Sequence, residues 1–490
     1  MADALIAATL RGDNGFEMIS AKNGRRLRAE VIVMRNRRQW KLVCTLLMRL
    51  RSIRRRRSVL LAVGAVLVLV VAAAVFVFGR GRPVVAAAET RPPRLELAPQ
   101  AAAVSYRDPV TVRGKAIGAK QVAVGDRSVQ PAPDGSFELT LSHAPVDTTV
   151  VATNGAGDKT VLPVKVDVAL PRIRAVHVTA YAWAYDPMRE AVLDLAREGR
   201  IDTVELDIKD EDGMIGYDSQ VPLARESGAA TTIYDAGAAL KQLHDMGLKV
   251  VGRIVAFRDP TMASWAWHNG HPDWVIQNPG GQPYSSGYGA IAFTNFASPE
   301  IRSYNRDLAV EAGHLGFDGV MYDYIRRPDG GLSGMQFPGL AESPSDSIAN
   351  FLRDIKDSVH ESGASLGAAV FGIAATRPDE IAQDIPSMAR YVDYLAPMLY
   401  PSHWHAGEYD VANPNSQPYD IVFRSLQDFR ARTQGTAAQI IPWLQDFSLG
   451  VAYGDTQVQA QIDATHDAGY TGFFLWNPSV SYHPGGIPVG

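Results

Sequence analysis

The residues of this chain best placed to do chemistry are carboxylates that end, or directly follow, runs of β-prone apolar residues. Asp323 closes the run Gly319-Val-Met-Tyr-Asp. A charge at the end of a buried strand either faces a site or breaks the wall it belongs to. In the run that starts at Thr203, Glu205, Asp207 and Lys209 alternate with Val204, Leu206 and Ile208. Period two turns the polar set to one face and the apolar set to the other. An Asp207–Lys209 pair on that inner face is read either as a structural ion pair or as part of the catalytic group. Asp446 follows a third run in Pro442-Trp-Leu-Gln-Asp-Phe and reaches toward Asp323 if both strand ends open on one mouth. Two carboxylates at one mouth are what glycoside hydrolysis needs, one to give a proton and one to attack or to activate water. Asp323 is the expected nucleophile or base, with Asp446 first and Asp207 second in line as partner. Arg253, beside Gly252, offers a forked guanidinium that keeps a carboxylate ionised.

Aromatic residues gather around the same strand ends. Of the 8 tryptophans, only Trp40 lies outside the C-terminal two thirds of the chain. Trp183, Trp265, Trp267, Trp274, Trp404, Trp443 and Trp476 all end or follow strand-like runs, together with Tyr284, Tyr288, Tyr324 and Tyr400. Flat rings cover the apolar faces of sugars while hydroxyls bond at the rim. Two or three of these tryptophans are expected on ligand, and the rest in loop packing. Lys209, Arg253, Tyr324, Tyr400, His403, Trp443, Gln445 and Trp476 form the expected substrate-binding set. His403 and His405 lack a carboxylate or third histidine at metal-ligand spacing, and Asp210 and Asp212 before Gly213 lack the spacing of a calcium loop. They are read as substrate-facing or turn residues, and no metal or cofactor is expected. A metal hydrolase such as a polysaccharide deacetylase would need a set that the spacing does not supply.

Positioning these residues falls to alternating strands and helices. From Pro171 onward, strands are predicted at 173–179, 203–208, 250–257, 319–323, 365–371, 392–398, 439–444 and 472–476, with helices between them at 187–198, 234–246, 299–315 and 345–361. Eight βα units in residues 171–490 predict an α/β fold, a (β/α)8 TIM barrel whose chemistry sits at the C-terminal strand ends. An open doubly wound sheet would want a Gly-rich phosphate turn after its first strand, and none is present. Pro484, Gly485, Gly486 and Pro488 discourage a helix after the last strand. The eighth helix is therefore expected to be missing, with another segment of the chain covering that flank.

The N-terminal third reads differently. The net charge of −4 divides into +11 over residues 1–57 and −15 beyond them, which argues against a nucleic-acid partner for the larger part. Ser58–Phe78 is uncharged over 21 residues, follows four arginines (54–57), and is long enough to cross a bilayer. A single-pass anchor over 58–79 is expected, with a basic cytoplasmic tail at 1–57 and everything after about residue 80 exported. A cleaved signal peptide is the rival reading. Residues 80–100 are Pro-rich and read as a linker. Residues 101–169 show short alternating runs, with Asp134-Gly135 and Asn154-Gly155 as turns, and predict a small β-sandwich that acts as a spacer. The single cysteine, Cys44, precedes the apolar run, so the exported part has no disulfide to lean on.

Residues 173–483 resemble a bacterial family of glycoside-hydrolase-like barrels first described as a domain of unknown function. The stretches that carry the resemblance are Asp207-Ile-Lys-Asp-Glu-Asp-Gly, Gly252-Arg-Ile-Val-Ala-Phe-Arg-Asp-Pro, Gly316-Phe-Asp-Gly-Val-Met-Tyr-Asp-Tyr-Ile-Arg-Arg-Pro, Ala396-Pro-Met-Leu-Tyr-Pro-Ser-His and Pro442-Trp-Leu-Gln-Asp-Phe-Ser-Leu-Gly. The resemblance implies a TIM barrel with a glycosidase-type site acting on polysaccharide. A fainter similarity joins Asp318, Gly319, Asp323, Met398 and Tyr400 to chitinase-like barrels, but Ile325 stands where their proton-donating glutamate would be. Within the closer family the fifth strand often reads Ala-Asp-Val-Phe-Gly, and here Ala369 takes the place of the acid. Both departures point to a non-catalytic polysaccharide-binding barrel as the alternative. The sandwich is similar to immunoglobulin-like modules of bacterial surface proteins.

Overall fold

The computed structural model describes residues 7–10, 16–19, 91–99, 103–146 and 148–490. Contacts divide the chain into two compact units, Met1–Glu89 and Thr90–Gly490. In the first, Ala7–Leu10 and Phe16–Ile19 pair as antiparallel strands. The stretch expected to span a membrane lies outside the described residues. Among the described residues, no helix is long and apolar enough to cross a membrane.

The second unit opens with two antiparallel sheets that share a core. One joins Arg94–Leu97, Val110–Ile117 and Ser136–Leu141; the other joins Arg127–Val129, Gln121–Val124, Thr149–Thr153 and Lys159–Pro163. Alternate residues turn inward, as in Ser136–Leu141, where Phe137 and Leu139 are buried against Val112, Val122 and Val150. The first of these strands lies inside the stretch expected as linker.

Eight parallel strands then close into a barrel. In chain order they are Arg174–Val178, Thr203–Lys209, Lys249–Val255, Gly319–Asp323, Ser365–Phe371, Tyr394–Met398, the pair of short segments Gln439–Ile440 and Trp443–Gln445, and Phe473–Trp476. Each pairs with the next, and the eighth pairs with the first. Pro442, which has no N–H to give, interrupts the seventh strand. Outward residues such as Val204, Leu206 and Ile208 pack under the helices. Inward residues, among them Ala175, Val251, Met321, Ala396, Ile441 and Phe474, fill the bore. Gly252 has its reason here: a Cβ would come within 2.2 Å of Ile208 Cδ1.

Local signals start the helices where they are needed. Ser298 and Ser343 each accept a backbone N–H of the following turn, with Pro299 and Pro344 next in line, and the helices run Pro299–Leu315 and Pro344–Glu361. The eighth helix is absent as expected, and among the described residues the flank is covered not by a distant segment but by the end of the chain. The tail itself lies there, with Ile487 fully buried, Arg200 donating to the Pro484 and Ile487 carbonyls, and the Gly490 amide donating to Gly199 at 2.9 Å.

Candidate active site

The mouth at the C-terminal strand ends holds a cavity of about 690 Å3. Its lining includes Glu211, Arg253, Asp323, Tyr324, Tyr400, His403, Trp443 and Trp476. At its centre is Arg253, on the third strand and 1 % exposed. Its Nε and Nη2 donate to Asp323 Oδ2 at 3.0 and 2.7 Å, its Nη1 donates to Asp207 Oδ1 at 2.8 Å, and its Nη2 also donates to Glu211. One guanidinium thus binds three carboxylates from the second and fourth strands and the loop after the second. The Asp323 carboxylate also accepts the Tyr324 amide at 2.6 Å. Tyr324 has φ +46°, a left-handed backbone that bulky residues adopt only under constraint, and the turn brings its N–H back onto Asp323.

Below this group the first and second strands place a buried triplet. His177 Nδ1 and Glu205 Oε2 are 2.5 Å apart, and His177 Nε2 is 3.8 Å from Asp207 Oδ2. The His177 ring stacks on Trp476 with centroids 4.1 Å apart, which ties the triplet to the cavity wall. Burial pushes the Asp207 carboxyl up to about 7 against the pull of His177 and Arg253. Glu211 is driven the other way. Burial would raise it, but the charge and hydrogen bond of Arg253 outweigh that and hold it at about 2. Carboxylates whose affinities for protons are pushed apart within one cleft are the usual mark of acid–base work.

His177, Glu205 and Asp207 bring one donor atom each within 4.8 Å, the composition of a metal set. Two observations count against that use. Asp207 is already bound to a fixed cation, Arg253, and His177 bonds directly to Glu205. The arrangement suits proton sharing better than cation binding.

The described "Putative glycosyl hydrolase domain" family matches residues 175–482. The chain belongs to this family. No curated protein matches the chain. Among solved structures, a hypothetical protein from Ruminiclostridium thermocellum ATCC 27405 is similar at 28 % identity and TM-score 0.36, over 39 % of this chain and 96 % of that one. The PgaB (BpsB) glycoside hydrolase domain from Bordetella bronchiseptica is similar at 14 % identity and TM-score 0.47, over 63 % of this chain and 95 % of that one. The catalytic domain of β-amylase from Paenibacillus polymyxa is similar at 11 % identity and TM-score 0.41, over 66 % and 96 % respectively.

Within the family barrel, the residues singled out from the sequence divide into two groups. Asp323, Arg253, Tyr324, Tyr400, His403, Trp443 and Trp476 meet at the cavity, and Asp207 lies just beneath it, bound to Arg253. Three of the seven barrel tryptophans, Trp404, Trp443 and Trp476, line the cavity, while Trp265 and Trp274 pack with His271 in the loop after the third strand. Of the tyrosines, Tyr288, Tyr324 and Tyr400 line it and Tyr284 does not.

Three expectations are corrected. Lys209 does not face the bore: the register shifts between Asp207 and Lys209, so Lys209 sits opposite outward Ile254. Its amine instead meets Asp259 at 2.7 Å and Asn305 at 3.1 Å under the Pro299–Leu315 helix. Asp446 does not reach Asp323, because the His483 amide and ring bond its two oxygens at 3.0 and 2.5 Å and it lies off the cavity. Gln445 is buried and spends its side chain on the Ser402 amide and the Phe447 carbonyl, holding two loops together.

Sequence reasoning also passed over His177 and Glu211. A lone histidine in the apolar run Ile173–Val178 was a usable signal, since an unpaired polar group inside a barrel strand needs a partner. Glu211 had no such signal, as it sits among turn acids and only the fold brings it to Arg253.

Proposed function

We propose that this chain is a membrane-anchored, extracytoplasmic glycoside hydrolase that acts on a polysaccharide. The observation that carries the reading is Asp323 at the end of the fourth strand, bound in an aromatic-lined cavity by Arg253 and by the Tyr324 amide. Asp323 is the nucleophile or base. Glu211 replaces Asp446 as its partner, because its side chain is 28 % exposed and shares Arg253 Nη2 with Asp323. Two acceptors on one nitrogen lie no more than about 6 Å apart, nearer the spacing of roughly 5–5.5 Å that goes with retention than the 6.5–9.5 Å of inversion. Trp404, Trp476 and Tyr400 give sugar rings apolar faces, and Trp443, 1 % exposed, backs Trp476 edge-on with ring centroids 5.6 Å apart. The apolar run 58–78 anchors the chain, residues 1–57 stay cytoplasmic, and the immunoglobulin-like sandwich is a spacer that carries the barrel outside.

A second reading is favoured by one observation: Glu211 is held too acidic to donate a proton while Arg253 is bound, and Ile325 is no substitute. On that reading the mouth retains polysaccharide without cutting it. The test is a glycan-array screen of the full chain, followed by reducing-end analysis of any hit. Asp323→Asn should keep glycan retention and lose cleavage by about 10^3-fold or more, and Glu211→Gln should also cut turnover. Wild-type cleavage by Asp323→Asn removes that residue from catalysis. Retention by the wild type with no new reducing ends selects the second reading.

A further inference from the structure

Four carboxylates crowd the centre of the barrel, and among the described residues one permanent cation, Arg253, serves them. Arg253 spends its bonds on Asp207, Glu211 and Asp323, and none reaches Glu205. Glu205 is fully buried, its Oε2 meets only His177 Nδ1, and its Oε1 has no hydrogen-bond partner among the described residues. The bore around it holds Val251, Ala396 and Phe474. An ionised carboxylate with an empty oxygen in such surroundings is far costlier than a neutral one.

We propose that Glu205 is a neutral carboxylic acid that donates its proton to His177 Nδ1 and so acts as a positioning residue for the site above it. The proton fixes the imidazole as the neutral Nε2–H tautomer, and that N–H then points toward Asp207 Oδ2, 3.8 Å away. The ring is held flat against Trp476, whose other neighbours are Trp443 and the Arg253 guanidinium at 5.1 Å. With Glu205 uncharged, Arg253 is left to the three acids nearer the cavity.

Of the groups facing Glu205, Arg253 favours the charged form, but burial and the neighbouring acids outweigh it. His177 faces it from the first strand, Asp207 from its own, Arg253 and Asp323 from the third and fourth, and Glu211 from the loop above. The Tyr394 hydroxyl on the sixth strand has no hydrogen-bond partner among the described residues, and the Tyr482 hydroxyl from the tail donates to the His177 carbonyl at 2.5 Å. Burial pushes Glu205 well above the usual carboxylate range and lowers His177 to about 4, the directions a neutral pair requires.

Two measurements on the full chain test this without any need for turnover, so they stand or fall apart from the hydrolase reading. In 15N-histidine spectra near pH 6, His177, assigned by its loss in His177→Asn, should be neutral with its proton on Nε2. A doubly protonated His177 overturns the proposal. Glu205→Gln keeps a donor to Nδ1, so it should fold, keep that tautomer and keep glycan retention. It should also gain thermal stability relative to the wild type as pH rises from 5 to 6.5. The wild type alone must hold a proton there that its unfolded chain releases. A deficit in Glu205→Gln that stays constant over that range, as an ion pair with His177 would give, overturns it too.

Discussion

The two ends of the barrel use carboxylates in opposite ways. At the N-terminal end, Asp202, Asp318 and Asp393 each stand just before an even-numbered strand and accept the N–H of a residue on the preceding odd one: Arg174 at 2.7 Å, Val250 at 2.9 Å and Leu366 at 2.7 Å. Each has further donors of its own. Asp318 meets His244 and Lys249, and Asp393 meets His360 and the Tyr106 hydroxyl of the sandwich, whose ring stacks on His360 at 3.8 Å. For Asp318 and Asp393 burial works against ionisation, but these donors win and hold both below the usual range. At the mouth, Asp207, Glu211 and Asp323 divide a single arginine, and the outcome is conflict: Asp207 near 7, Glu211 near 2. Acids with a donor each build the barrel. Acids that compete for one donor are available for chemistry.

The largest break in that contrast is Arg253→Leu. It strands three buried or half-buried acids, and the expected loss is about 3–5 kcal/mol in urea unfolding, together with loss of glycan retention. A loss under about 1 kcal/mol would show that Arg253 does not hold the mouth together. Next comes Asp393→Ala, which leaves the Leu366 amide and the Tyr106 hydroxyl without their acceptor. It should cost about 2–3 kcal/mol and leave the mouth's ligand binding unchanged. Its deficit should also depend on pH in a set direction. A carboxylate whose folded value is lowered stabilises above its unfolded value near 3.9 and loses that contribution as pH falls through the folded value, so the deficit shrinks below about pH 4. Asp207, raised to about 7, runs the other way, with its contribution lost as pH rises toward 7. The smallest effect is Tyr106→Phe, about 1 kcal/mol for one hydrogen bond between sandwich and barrel. A change in glycan binding in that variant would couple the two ends, which the contrast denies.

Much of the barrel was legible because each strand carries its own signal. The fourth and fifth strands lie at 319–323 and 365–371 as read, since Gly, Asp and Ser mark their ends. The seventh was blurred by Pro442, which a run of apolar residues conceals. Asp323 and Arg253 could be read because strand ends in a barrel converge. Lys209 could not, because one register shift reverses a face and leaves no mark in the residue types.

The sequence by itself determined the alternation of strand and helix, the aromatic wealth of the mouth, and a charged residue at the end of the fourth strand. These follow from local periodicity and from composition, which need no partner. Only the tertiary structure decided which carboxylates share a donor. Asp446 and Asp323 look alike in the chain, yet one is sealed by His483 from the tail and the other faces a cavity beside Glu211. A proton affinity depends on what lies within a few ångströms, and those neighbours come from strands far apart in the sequence.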